Sequence, residues 1–175
     1  MSQLPVAVTV IGNDRPGIAA GVTRVLYETG CNLEDVTSTI LRGHFAMMLV
    51  VRPSEGTDAA ALEEALATTA SELGLTVTAR PVEDVHVDVS APTHMVSVYG
   101  ADRPGIVYRV TQLLSDAGAN ITDLTSRVIG EERSPVYALM VEVSVEDGDV
   151  EARLSELKDE LGVDITVHPI ETDVL

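Results

Sequence analysis

The chain repeats itself at a fixed offset, and that repeat restricts its possible folds more than any other feature. GNDRPGIAAGVTRVLYETGCN (Gly12 to Asn32) returns as GADRPGIVYRVTQLLSDAGAN (Gly100 to Asn120). Asp14 and Asp102 stand 88 positions apart, as do Gly30 and Gly118, Asn32 and Asn120, Asp35 and Asp123, and Ser38 and Ser126. The offset still holds at Gly74 and Gly162, Pro81 and Pro169, and Glu83 and Glu171. Agreement over nearly all of the 175 residues marks a duplicated unit. Two copies are too few for a solenoid, and each is long enough for a small domain that leans on its twin. The expected division is 1–88 and 89–175, linked through VHVDVSAPTH (Val85 to His94). One place breaks the offset: Phe45 aligns with Tyr137, 92 positions on, which puts extra residues into GEERSP (Gly130 to Pro135). The first copy makes up the difference in RPSEGTD (Arg52 to Asp58). Gly, Pro and charge mark both stretches as loops.

Periodicity gives each copy the same elements. Val6, Val8 and Val10 alternate, as do Val96 and Val98, so each copy opens with a strand. Pro16 and Pro104 stand where a first helical residue is favoured. Ile18, Val22, Val25 and Leu26 then form one helical stripe, with Ile106, Val110, Leu113 and Leu114 as its twin. Gly30 and Gly118 are helix stops. Strands are expected near 33–41 and 45–51, and again near 121–129 and 136–145. A second helix shows Leu62, Leu66, Thr69 and Leu73, matched by Val150, Leu154, Leu157 and Leu161. Closing strands alternate through Leu75, Val77 and Ala79, and through Val163, Ile165 and Val167. The order β-α-β-β-α-β, twice, is an α+β arrangement of two ferredoxin-like units with antiparallel sheets. Right-handed crossovers put both helices of a unit on one sheet face.

Composition narrows the class. Apolar residues make up 45% and charged residues 22%, enough to bury a core. Aromatics are only 3% and Trp is absent, so Val, Leu, Ile, Ala and Met must build that core. The net charge of −17 repels phosphate backbones and anionic lipid heads, so neither direct nucleic-acid binding nor a membrane partner is expected. Cys31 is the sole cysteine, which fits a reducing compartment. MSQLPVAVTVIG lacks the basic start and the apolar length of a signal peptide, and a cytoplasmic location is expected.

With NDRPGI and GCNL in one copy and ADRPGI and GANI in the other, the chain resembles a tandem ACT-domain protein. Among these it is most similar to the glycine cleavage system transcriptional repressor family, two ACT domains without a catalytic or DNA-binding domain. The resemblance implies a non-enzymatic regulator that binds a small amino acid, such as glycine or serine, and acts through a protein partner. It also implies that the two domains pair side by side and hold ligand at their seam, Asp14 approaching Asn120 and Asp102 approaching Asn32. A homodimer is compatible with this reading, and no cofactor is expected.

The ligand-binding set expected on this basis is Gly12, Asn13, Asp14, Gly17, Ile18 and Asn32, with Gly100, Asp102, Gly105, Ile106 and Asn120 in the second copy. A helix start offers free N–H groups and a positive dipole end to a carboxylate. Gly17 and Gly105 allow close approach to the backbone. Asp14 and Asp102 can take an ammonium, and the amides of Asn32 and Asn120 can serve either end of the ligand. Each residue also has a plainer role. Asp14 can cap the helix, Gly17 can pack against the sheet, and Asn32 can hold a turn. The rival reading is a ligand-free interaction module with structural DRPG loops. Arg15 and Arg103 are expected to pair with nearby carboxylates.

Sharper chemistries fail. GNDRPGIA lacks the Lys-Ser/Thr of a P-loop, and no G-x-S-x-G appears. His44, His86, His94 and His168 have no zinc-type spacing, so no metal site and no catalytic set is expected. Cys31 reads as a packing residue, and Met47 and Met48 as core filling.

Overall fold

The computed structural model describes residues 4–83, 91–130, 135–145 and 150–170. The chain divides into two compact units, Met1–Val87 and Asp88–Leu175. The expected junction, most of the linker and His86 lie outside the described residues.

In the first unit the elements are β1 (Val6–Asn13), α1 (Ile18–Glu28), β2 (Asn32–Leu41), β3 (His44–Arg52), α2 (Ala59–Leu73) and β4 (Leu75–Pro81). In the second they are β5 (His94–Gly100), α3 (Ile106–Asp116), β6 (Asn120–Ile129), β7 (Val136–Ser144), α4 (Val150–Leu161) and β8 (Val163–Pro169). Each unit holds one antiparallel sheet, in the orders β2-β3-β1-β4 and β6-β7-β5-β8. The β-α-β-β-α-β order read from periodicity is the observed one.

Alternation along β1 sends Val6, Val8 and Val10 into the core. They meet Ile18, Val22, Val25 and Leu26 of α1 and Leu62 and Leu66 of α2 in one cluster, so both helices cover the same sheet face. The second unit repeats this with Val96, Val98, Ile106, Val110, Leu114, Leu154 and Leu157. Among the described residues no helix of the unit covers the opposite face. Met47 is therefore 3% exposed while its neighbour Met48 is 51% exposed. The expectation that both methionines fill the core is corrected for Met48, because only one face of the strand is covered.

Helix ends follow local chemistry. The N–H of Gly30 donates to Tyr27 O and that of Cys31 to Leu26 O, the double bond of a Schellman stop made possible by φ 72° at Gly30. Gly118 and Ala119 do the same in the second copy. The Asp58 carboxylate accepts from the Ala61 N–H at 2.8 Å and caps α2. Pro16 and Pro104 precede their helices by two positions and do not begin them; Gly17 and Gly105 are the N-caps.

β2 and β3 join through Arg42 and Gly43, whose φ values of 49° and 81° give the tight hairpin turn suited to strand twist. The corresponding connection runs from Ile129 to Val136 and is longer, as the alignment requires; its residues 131–134 lie outside the described set. Among the described residues no helix is long and apolar enough to cross a membrane.

Candidate functional site: the DRPG loops and the Asn steps

The loop after β1 delivers a helix start without a side-chain cap. Gly17 is the N-cap at φ 96°, and Gly105 is its counterpart at φ 97°. Intrahelical bonding begins with Gly21 N–H to Gly17 O and Arg109 N–H to Gly105 O. The amides of residues 18–20 and 106–108 therefore precede the first intrahelical donor and have no acceptor within the helix. Asp14 does not cap the helix. Its own N–H donates to Gly43 O at 2.8 Å, which ties the loop to the β2–β3 turn. The expected capping role is corrected, and the exposed Asp14 carboxylate has no hydrogen-bond or ion-pair partner among the described residues.

The glycines divide by cause. A Cβ on Gly17 or Gly105 would meet nothing within 4 Å, so these are open positions kept as glycine by their backbone angle. Packing against the sheet is excluded as the reason for Gly17. Gly12 is the reverse case: a Cβ there would lie 2.6 Å from Leu75 Cδ2 and 3.0 Å from Gly74 O. Gly100 likewise sits against Val163, at 2.7 Å. These two glycines have a packing reason of their own. Ile18 and Ile106 are core side chains, so only their amides face the loop. Asn13 and Asp102 are exposed.

Asn32 and Asn120 open the outer strands β2 and β6 and are exposed. Asn32 pairs in register with Arg52, at the far end of β3 from His44, which pairs with Asn13. Asn120 pairs with Ser144, while Gly100 pairs with Tyr137 near the other end of β7. Within one unit the fold thus gathers Gly12, Asn13, Asp14, Gly17 and Ile18 at one sheet end and sets Asn32 at the other.

The surroundings of the two Asn steps differ. Beside Asn32, the Glu34 carboxylate takes a 2.6 Å ion pair from Arg52 Nε across a bulge in β2. The Ser54 hydroxyl donates to Thr29 O at 2.9 Å, closing the end of α1. In the second copy Thr122 and Ser144 stand in place of that charged pair. The Thr122 hydroxyl is buried and has no partner among the described residues, and Ser144 is buried. Reading the copies for their likeness missed this contrast. The signal was the exchange of a matched Glu–Arg pair for two hydroxyls.

Arg15 and Arg103 form no ion pair among the described residues, against expectation. Arg103 instead reaches the end of α4, its Nη1 lying 3.5 Å from the Cβ position of Gly162. Among the described residues no cluster of His, Cys, Asp and Glu could hold a metal ion.

Comparison with known proteins agrees with this anatomy. The sequence matches the ACT domain family twice, over residues 5–80 and 94–162. It is 30% identical over 148 residues to the glycine cleavage system transcriptional repressor of Escherichia coli, covering 82% of this chain and 75% of that one. A UPF0237 protein from Methanopyrus kandleri is 43% identical over 90 residues, which is 51% of this chain and 94% of the relative. The phosphoserine phosphatase SerB2 of Mycobacterium tuberculosis is 29% identical over 95% of this chain, but the match spans only 41% of the phosphatase. Among solved structures, an unknown protein from Galdieria sulphuraria superposes with a TM-score of 0.79 at 27% identity, covering 96% of this chain and 99% of that one. A doubled βαββαβ unit, an open DRPG loop in each copy and two family matches along the chain lead to one assignment: the chain belongs to the ACT-domain family, carries two ACT domains in tandem, and is homologous to the glycine cleavage system transcriptional repressor.

Proposed function

We propose that this chain is a non-enzymatic regulator that senses a small amino acid at its DRPG loops and conveys the bound state to a protein partner in the cytoplasm. The observation that carries the reading is the paired helix start: an uncapped first turn behind a left-handed glycine, with an unpaired carboxylate three residues upstream. The free amides and the helix dipole suit a ligand carboxylate, and Asp14 or Asp102 suits its ammonium. Glycine and serine are the favoured ligands, supported by the resemblance to the repressor and by the open space at Gly17 and Gly105.

Titration calorimetry of the whole chain against a panel of amino acids tests this. Binding of glycine or serine that weakens in Asp14→Ala or Asp102→Ala supports the reading. Silence across the panel favours the rival, a ligand-free interaction module. The observation behind that rival is β2, exposed along its whole length with Leu33, Val36, Ile40 and Leu41 among its residues.

A further inference from the structure

The two copies treat their outermost strands differently. β4 and β8 are sheet edges, and an edge presents unpaired N–H and C=O groups to any extended chain. In the first copy one outward amide of that edge is occupied: the Ala79 N–H donates to Glu63 Oε2 of α2 at 2.9 Å. That bond shows that the Ala79 amide points away from β1. Val167 occupies the matching register, opposite Val96 as Ala79 is opposite Val8, so its amide and that of Ile165 also point outward. Glu151 is the counterpart of Glu63, yet it makes no bond to Val167 and has no partner among the described residues. A groove of about 250 Å³ opens instead between α4 and β8, with Glu151, Leu154, Ser155, Lys158, Ile165 and Val167 among its lining residues.

We infer that this groove is a docking site for an extended, basic segment of a partner protein, which adds as a strand to β8. The backbone of such a segment would meet the amides of Ile165 and Val167, as in strand addition generally. Leu154 gives its inward side chains an apolar floor, since Leu154 is a core residue at the base of the groove. The charge requirement comes from the lining. Lys158 is already matched by Asp164 at 2.6 Å, an interaction that raises the Lys158 pKa above its ordinary value, first through the hydrogen bond and then through the opposite charge. Glu151 is left as the unmatched charge, on a chain whose net charge is −17. An arginine or lysine fits there and an acidic segment does not.

The test uses the whole chain, labelled with nitrogen-15, and a nine-residue peptide of alternating threonine and valine with arginine at its third and seventh positions. The expected result is saturable shifts and slowed exchange at the amides of Ile165 and Val167, with Ala79, whose amide Glu63 already occupies, unmoved. Glu151→Gln should weaken binding roughly two- to five-fold. Val167→Pro should abolish it, since proline removes an edge donor. Should that variant fail to fold, the wild-type chain with a peptide N-methylated at alternate amides asks the same question, and loss of binding is again expected. The inference is overturned by no binding at millimolar peptide, by equal binding of the peptide with glutamate in place of arginine, by shifts centred away from β8, or by self-association through β8 in the absence of peptide.

Discussion

Asp14 and Asn32 lie at opposite ends of one sheet. Asn13, beside Asp14, pairs with His44 at the start of β3, and Asn32 pairs with Arg52 at its end. Eight strand steps at the usual rise separate the two by roughly 25 Å, far more than a free amino acid spans. The two residues of one unit cannot grip the same ligand molecule. In a double-mutant cycle on amino-acid binding, Asp14→Ala and Asn32→Ala should therefore be additive within about 0.5 kcal/mol. A coupling energy above about 1 kcal/mol would contradict this register.

The glycines of the loop should separate by mechanism. Gly17→Ala meets no neighbour but holds an alanine at φ 96°, and should cost about 1–2 kcal/mol. Gly12→Ala has an ordinary backbone but drives a methyl toward Leu75 and the Gly74 carbonyl, and should cost about 1–3 kcal/mol. A compensating Leu75→Ala should recover part of the Gly12→Ala loss and none of the Gly17→Ala loss. Urea unfolding of the four variants reads this directly.

Much of this fold was legible because the chain states it twice. The stripe Ile18, Val22, Val25, Leu26 became the buried face of α1 residue for residue. The DRPG segment was harder to read, since Asp and Pro both suggest a helix start and the helix in fact waits for a left-handed glycine. The failure at Met48 has a physical cause: alternation gives two faces, but the sequence of one strand does not say which faces are covered. The separation of Asp14 from Asn32 was equally hidden. Both flank α1 in sequence, and only the strand order and register set them at opposite sheet ends.

The covered and open faces of β3 make a sharp pair of substitutions. Met47→Ala removes a core side chain and should cost about 2–5 kcal/mol. Met48→Ala, on the helix-free face, should stay within about 0.5 kcal/mol of the parent. Thermal or urea unfolding decides, and equal losses at both positions would mean that something covers the open face.

Thr122 offers a gain. Its hydroxyl is buried with no partner among the described residues, and a buried hydroxyl without a bond carries its desolvation cost uncompensated. Thr122→Val keeps the β-branched shape and deletes the oxygen. It should raise stability by up to about 1 kcal/mol, visible as a shift in the urea midpoint with an unchanged slope. A loss of stability would mean that the hydroxyl is satisfied, for example by an ordered water.

Any part this chain plays in transcription should be indirect. With a net charge of −17 it meets a DNA duplex as one anion meets another. Lys and Arg together number 11 against 28 Asp and Glu. Specific binders gain affinity by displacing counterions with clustered basic side chains. The described ion pairs already engage Arg52, Arg109 and Lys158 with carboxylates, leaving fewer cations to meet phosphates. Purified chain should therefore retard no duplex in a mobility assay at physiological salt, with or without glycine or serine. Lowering the salt should not rescue binding, because an acidic surface gains repulsion as screening falls. Tight, sequence-selective retardation by the chain alone would overturn this expectation and with it the need for a protein partner.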